Sequence, residues 1–146
     1  MKLEKLYDMA ERENIDIINF KMKNKAIIGC IGNNYSIGLN YSIIKDSSEE
    51  KTILAEELGH YYTNTLYNSN YSDVEIRKRE FRATKWAFKT LVPYSKLLEL
   101  REEGCKYNYE FAEELGVTED LINKAYDYYK DNDILFTNEE MLENSI

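Results

Sequence analysis

Residues 53–62, ILAEELGHYY, form the most informative segment of the sequence for both its fold and its chemistry. On a helix, Glu56 and His60 are four residues apart and share a face, while Glu57 lies at the edge of that face. The three side chains can therefore converge on one point. Two donors at this spacing, with a glutamate between them, are typical of a metal site in which that glutamate activates the bound water.

His60 is the only histidine in the sequence, which excludes every metal site that needs two or more imidazoles. Any metal ion must therefore rely on carboxylates, and Glu56 occupies the first ligand position of the motif. We expect a third ligand from a second helix packed antiparallel to the first. Glu80 is the best candidate, because Ala83 follows on the same face and allows close helix approach; Glu75 is a poorer one, since it lies more than a turn away.

The EELGH segment at residues 56–60 is followed, about twenty residues later, by EFRATKWAFKTLVP at residues 80–93. Together the two segments resemble the ImmA/IrrE family of metallopeptidases, whose usual pattern is HELGH and then ExxANxFAxxLLMP. The likeness extends over most of the chain, from the amino-terminal helix to the segment after Pro93. It implies a minimal zincin-like fold and a protein substrate, namely a repressor of a phage or mobile element.

The resemblance also implies a role for each motif residue. His60 and Glu80 are implied as metal ligands, and Glu57 as the general base. Glu56 stands where the family has its first histidine, and Thr84 replaces the usual asparagine. We expect Zn²⁺, the ion of the family. Because two carboxylates and one imidazole make a harder site than the usual two-histidine one, we expect Mn²⁺ or Fe²⁺ as competitors.

The hydrophobic pattern predicts an α+β protein. A helix over about residues 3–14 is followed by three short β-branched runs, which should form a small, mainly antiparallel sheet. Two long helices then carry the site, from Asp46 to about Leu66 and from Asp73 to Leu91. Further on, two helices within residues 109–130, joined by a glycine turn, resemble a helix-turn-helix.

The length of 146 residues indicates one domain. We assign residues 1–92 to a zincin-like metallopeptidase core and residues 93–146 to a carboxy-terminal helical segment packed on it as one compact unit. The polar, acidic tail past Asn132 is expected to fray. Cys30 and Cys105 have no metal or disulfide spacing, and no apolar run has the length of a membrane span. We expect a cytoplasmic protein in which both cysteines are reduced packing residues.

The net charge of −8 disfavours nucleic acid and anionic membranes as partners. The second helix of the predicted helix-turn-helix opens with Glu119 and Asp120, which would repel phosphates. We therefore expect this element to serve in packing or partner recognition rather than in DNA binding. An acidic helix-turn-helix transcription factor is the remote alternative.

The sequence leaves two main functions open. The first is a metal-dependent endopeptidase, in which the ion polarises the scissile carbonyl and Glu57 takes the proton from the bound water. The second is a catalytically weakened zincin-fold regulator that binds a protein partner without cleaving it. We interpret Tyr61 and Tyr62, beside His60, as core and rim residues; the alternative is that one of them steadies a developing oxyanion.

Overall fold

The computed structural model describes residues 1–132, and over these residues it contains six helices and three strands, which confirms the α+β class. The elements in chain order are α1 (Leu3–Arg12), β1 (Asp16–Asn19), β2 (Ala26–Ile31), β3 (Asn34–Leu39), α2 (Ser47–Thr63), α3 (Asp73–Leu91), α4 (Tyr94–Glu102), α5 (Asn108–Leu115) and α6 (Glu119–Asp131). None of these helices is long and apolar enough to cross a membrane. The tail that we expect to fray lies outside the described residues.

The sheet is mixed and has the strand order β1-β3-β2. β2 and β3 form an antiparallel hairpin in which Ile28 lies opposite Ile37, and β1 pairs in parallel with the other side of β3, where Ile17 lies opposite Ile37. The expectation of a mainly antiparallel sheet is therefore met by one of its two pairings. β1 and β2 do run in opposite directions, but β3 lies between them and must run parallel to one of the two.

Local chemistry sets both ends of α2. Asp46 caps the amino terminus, where its carboxylate accepts a hydrogen bond from the Glu49 N–H at 2.9 Å. The helix ends at Thr63, before the predicted end at about Leu66, because Asn64 adopts a left-handed conformation with φ of 54°. This turn directs the following residues back towards the helix.

A glycine brings α2 and α3 into close contact. A Cβ atom added at Gly59 would lie 2.3 Å from the carbonyl oxygen of Ala83, so only glycine fits at this crossing. Ala83 and Ala87 are fully buried, as expected for the inward face of α3. The two motif helices are therefore packed backbone against backbone next to the site.

The chain divides into two compact units, the first from Met1 to Ala87 and the second beginning at Phe88. Apolar side chains of α1, β3, α2 and α3 form the core of the first unit: Leu6, Ala10, Ile37, Leu39, Leu54, Leu58 and Ala83. Cys30 is free and exposed near the tip of the β2–β3 hairpin, so the expectation that it packs inside is wrong. The predicted division at residue 92, and packing as a single compact unit, stay predictions.

The second unit contains α4, α5 and α6. Gly116, with φ of 64°, ends α5, and the Thr118 hydroxyl caps α6 by accepting a hydrogen bond from the Leu121 N–H at 3.2 Å. In the interior, the Tyr129 O–H donates to the Val92 carbonyl at 2.8 Å. The two helices lie close to their predicted bounds, while their identity as a helix-turn-helix stays a prediction.

Candidate metal centre

Three of the predicted site residues line one cleft of about 350 Å³ in the first unit. Glu57 and His60 reach it from α2, and Glu80 reaches it from α3. The cleft is also lined by residues 26–28 of β2 and by Tyr67, in the connection between α2 and α3. The site is thus assembled from two helices, one strand and one loop of the same unit.

His60 is almost fully buried, with 5% of its surface exposed, and its ring is fixed from both sides. Nδ1 lies 3.1 Å from both the carbonyl oxygen and the hydroxyl of Thr65, while Nε2 lies 3.4 Å from Glu80 Oε1. Thr65 is in place because the Asn64 turn folds it back, so that its N–H donates to the His60 carbonyl at 2.9 Å. An imidazole whose Nδ1–H is taken by a backbone carbonyl presents Nε2 to a ligand.

The surroundings of His60 change the pKa of its imidazole. Burial alone would lower the pKa of the imidazole, but the hydrogen bond to Glu80 and the negative charge of Glu57 outweigh it and raise the pKa above its usual value. A divalent cation at Nε2 would displace the proton, because a metal ligand must be deprotonated.

Glu57 has the environment of a general base. Burial raises the pKa of its carboxyl group to about 7, the charges of Glu80 and Glu56 act in the same direction, and the neighbouring His60 opposes them. A carboxyl group with a pKa near neutrality can both take up and release a proton under physiological conditions. The role that the resemblance implies for Glu57 is therefore chemically suitable.

Glu80 faces His60 and a residue that the sequence did not single out. Its Oε1 atom accepts a hydrogen bond from the Tyr67 hydroxyl, and the Tyr67 ring meets the His60 ring edge-on with centroids 5.8 Å apart. Burial and the hydrogen bond to Glu80 raise the pKa of Tyr67 to about 12, so the phenol remains a neutral donor. Tyr67 is thus part of the site, although no motif points to it.

The structure does not bring Glu56 to the other three residues of the cleft. Its Oε2 atom accepts a hydrogen bond from the Thr84 hydroxyl at 3.1 Å, across the α2–α3 contact, and Glu56 does not line the cleft. Within residues 1–132, no group of three or more His, Cys, Asp and Glu side chains is arranged to hold a metal ion. Glu56 as a third ligand therefore stays a prediction.

Tyr61 and Tyr62 lie away from the cleft. Their hydroxyls reach the two carboxylate oxygens of Glu13, at 2.9 and 3.5 Å, and the Tyr62 ring stacks on Trp86 with centroids 4.9 Å apart. These contacts agree with rim packing. Neither Tyr61 nor Tyr62 lines the cleft, so their positions do not support the alternative that one of them steadies an oxyanion.

The donor chemistry of the cleft fits a divalent cation in part. The imidazole of His60 is anchored at Nδ1 and directs Nε2 towards Glu80 Oε1, which is the arrangement that a nitrogen–oxygen ligand pair needs. The third protein ligand is the missing part, since Glu56 does not line the cleft.

Comparison with known families identifies the family of the chain. The profile of the IrrE N-terminal-like domain, the peptidase M78 family, matches residues 10–126 and so includes all four predicted site residues. No curated protein and no solved structure matches the chain. Because the profile covers far more than half of the sequence, the chain belongs to this ImmA/IrrE-type family of metallopeptidases.

Proposed function

We propose that this protein is a metal-dependent endopeptidase that cleaves a repressor protein of a phage or mobile element in the cytoplasm. One observation carries the proposal: Glu57, His60 and Glu80 converge on a cleft that an edge strand also lines. This arrangement combines a general base, a pair of metal donors and a surface for an extended peptide.

His60 Nε2 and Glu80 would hold the divalent ion, with Glu56 as the predicted third ligand. When bound, such an ion polarises a carbonyl group and lowers the pKa of a coordinated water. Glu57 would take the proton from the attacking water and deliver it to the leaving amine nitrogen. Zn²⁺ is the expected ion, and the carboxylate-rich donor set supports competition from Mn²⁺ or Fe²⁺.

β2 supports a peptide as the substrate. It is an edge strand of the three-stranded sheet, and its residues 26–28 line the same cleft as Glu57. Unpaired backbone groups on an edge strand can bind an extended peptide as an additional strand. A substrate held in this way would run past Glu57 and His60 with its backbone in a fixed orientation.

The first experiment compares wild type with His60→Ala and Glu57→Gln, purified without chelator or histidine tag and mixed with a candidate repressor protein of a phage or mobile element. We expect about one ion per wild-type chain, loss of the ion in His60→Ala, and retention of the ion in Glu57→Gln. Both variants should lose cleavage, Glu57→Gln by a factor of about 10² or more because an amide cannot accept the proton. Equal cleavage by Glu57→Gln would contradict the assignment of the base.

A second function is favoured by the position of Glu56. Because Glu56 does not line the cleft, the ligand set is incomplete in this arrangement of the described residues, as it would be in a zincin-fold regulator that binds a partner without cleaving it. Under that function, wild type and His60→Ala would bind the repressor equally and neither would cleave it. Metal-dependent cleavage by wild type, with no cleavage by His60→Ala, would exclude the function of a non-cleaving regulator.

A further inference from the structure

Tyr67 contacts both residues of the predicted ligand pair. It lies in the connection between α2 and α3, lines the cleft, and has 40% of its surface exposed. Its hydroxyl donates to Glu80 Oε1, the same oxygen that faces His60 Nε2 at 3.4 Å. Its ring packs edge-on against the imidazole, with an interplanar angle of 68°. One side chain therefore restrains the carboxylate and the imidazole together.

We propose that Tyr67 is a positioning residue of the metal site: its hydroxyl orients Glu80 and its ring orients His60, so that the two donors face each other before the ion arrives. This inference rests on the proposed function, because it assigns the prearranged pair to a metal ion. The contacts themselves exist in the metal-free protein and can be tested there.

Glu80 is the more exposed of the two donors. Its side chain is 46% exposed and has three rotatable bonds, whereas the His60 side chain is 6% exposed and anchored by Thr65. A hydrogen bond to a charged carboxylate is stronger than one between neutral groups, and it favours the rotamers that keep Oε1 near the imidazole. Without the phenol, Glu80 would sample more rotamers, and ordering it on metal binding would cost more conformational entropy.

The segment that carries Tyr67 is itself attached to both helices. Thr65 is bonded to the backbone and the ring of His60 in α2. The next residue is attached to α3: the Leu66 carbonyl accepts a hydrogen bond at 2.9 Å from Arg79, one residue before Glu80. Arg79 also lies over the Tyr71 ring, 4.6 Å from its centroid. The two residues directly before Tyr67 are thus bonded to α2 and α3, and Tyr71 after it contacts α3 through its ring.

The test uses Tyr67→Phe, which removes the hydroxyl and keeps the ring, and Tyr67→Leu, which removes both. The matched control is Tyr62→Phe, because that hydroxyl contacts Glu13 and lies outside the cleft. Zn²⁺ affinity is measured by competition with a chromogenic chelator. We expect Tyr67→Phe to bind Zn²⁺ about tenfold more weakly than wild type, as is typical when a partner of a ligand is removed. Tyr67→Leu should lose more, and Tyr62→Phe should match wild type.

A second measurement needs no metal. Since His60 is the only histidine, its ring nitrogens give a single set of ¹⁵N signals in metal-free protein. We expect Tyr67→Phe to change the Nε2 signal, because Glu80 is no longer held opposite that nitrogen, and Tyr67→Leu, which also removes the ring, to change the signals of both nitrogens. Tyr62→Phe should leave them unchanged.

The two measurements separate the inference from the proposed function. Wild-type affinity and unchanged His60 signals in Tyr67→Phe would overturn the positioning role. Absence of Zn²⁺ binding by wild type would contradict the metallopeptidase, and the ¹⁵N signals would then decide the positioning of His60 alone. Thermal unfolding of each variant confirms that the comparison is made between folded proteins.

Discussion

Glu57 is both a candidate base and a destabilising group. Burial raises its pKa from 4.5 to about 7. In the metal-free folded protein, the carboxyl group therefore keeps a proton at pH values at which the unfolded chain has already released it. Since the folded state binds more protons between pH 4.5 and about 7, the contribution of Glu57 to stability falls as the pH rises through this window.

We predict that Glu57→Gln stabilises the metal-free protein at neutral pH, because the amide has no charge to bury. The gain should be on the order of 2 kcal/mol above pH 7 and should vanish near pH 4.5, as measured by urea unfolding across this range. Glu102→Gln, which removes a carboxylate at an exposed position of α4, is the control for the substitution itself. An equal gain in the free energy of unfolding near pH 4.5 and above pH 7 would show that the buried charge of Glu57 is not the cause.

The contact between Glu56 and Thr84 leads to a prediction on zinc affinity. If Thr84 holds Glu56 in solution as it does in the structure, Glu56→Gln should bind Zn²⁺ as well as wild type does. Glu56→His places a second imidazole on the face of His60 and should tighten Zn²⁺ binding by about tenfold or more. Chelator competition measures both variants. A large loss in Glu56→Gln would instead show that Glu56 leaves Thr84 and ligates the ion.

The sequence predicts which residues line the site better than how each one is oriented. Glu57, His60 and Glu80 follow from helical spacing and from the resemblance, and all three line the cleft. The orientation of Glu56 depends on a hydrogen bond from Thr84 across two helices, which spacing within one helix cannot indicate. Tyr67 depends on a left-handed residue at Asn64, and single turns of this kind leave only a weak signal in the sequence.

At the scale of elements, the crossing of α2 and α3 depends on Gly59. We predict that Gly59→Ala destabilises the protein by about 3 kcal/mol or more, because the new Cβ would lie 2.3 Å from the Ala83 carbonyl oxygen and must push the helices apart. The same displacement would move Glu80 away from His60. Thermal or urea unfolding measures the loss, and zinc affinity should fall with it.

Gly29 provides the matched control for this substitution. It lies in β2, and a Cβ added there meets no atom within 4 Å. Gly29→Ala should therefore change the free energy of unfolding by no more than about 0.5 kcal/mol. Equal destabilisation by both variants would contradict the helix contact as the cause of the loss.

The bounds of the long helices are predicted well from the sequence, whereas the order of the strands in the sheet is not. α3 occupies its predicted bounds because its apolar spacing persists to the stop at Pro93. The strands were also recognisable, since short β-branched runs alternate with turn residues. Strand order is different: the position of β3 between β1 and β2 depends on contacts distant in sequence, and alternation within a strand does not specify its neighbours.

The net negative charge of the molecule extends to α6, the second helix of the segment that resembles a helix-turn-helix. α6 begins with Glu119 and Asp120, and the Asp120 carboxylate pairs with Lys124 at 2.9 Å. Asp127 adds a further exposed negative charge. With a net charge of −8, the long-range field would oppose the approach of phosphates as well.

We therefore predict no saturable binding to duplex DNA at about 0.15 M salt, with any dissociation constant weaker than about 10⁻⁴ M. Fluorescence anisotropy with a labelled duplex measures this. The matched variant combines Glu119→Lys, Asp120→Lys and Asp127→Lys, all exposed on α6, and should gain weak binding that disappears as salt is raised. That gain would show that charge, and not the shape of α5 and α6, prevents binding. Tight, sequence-dependent binding by wild type would contradict the prediction and favour a transcription factor.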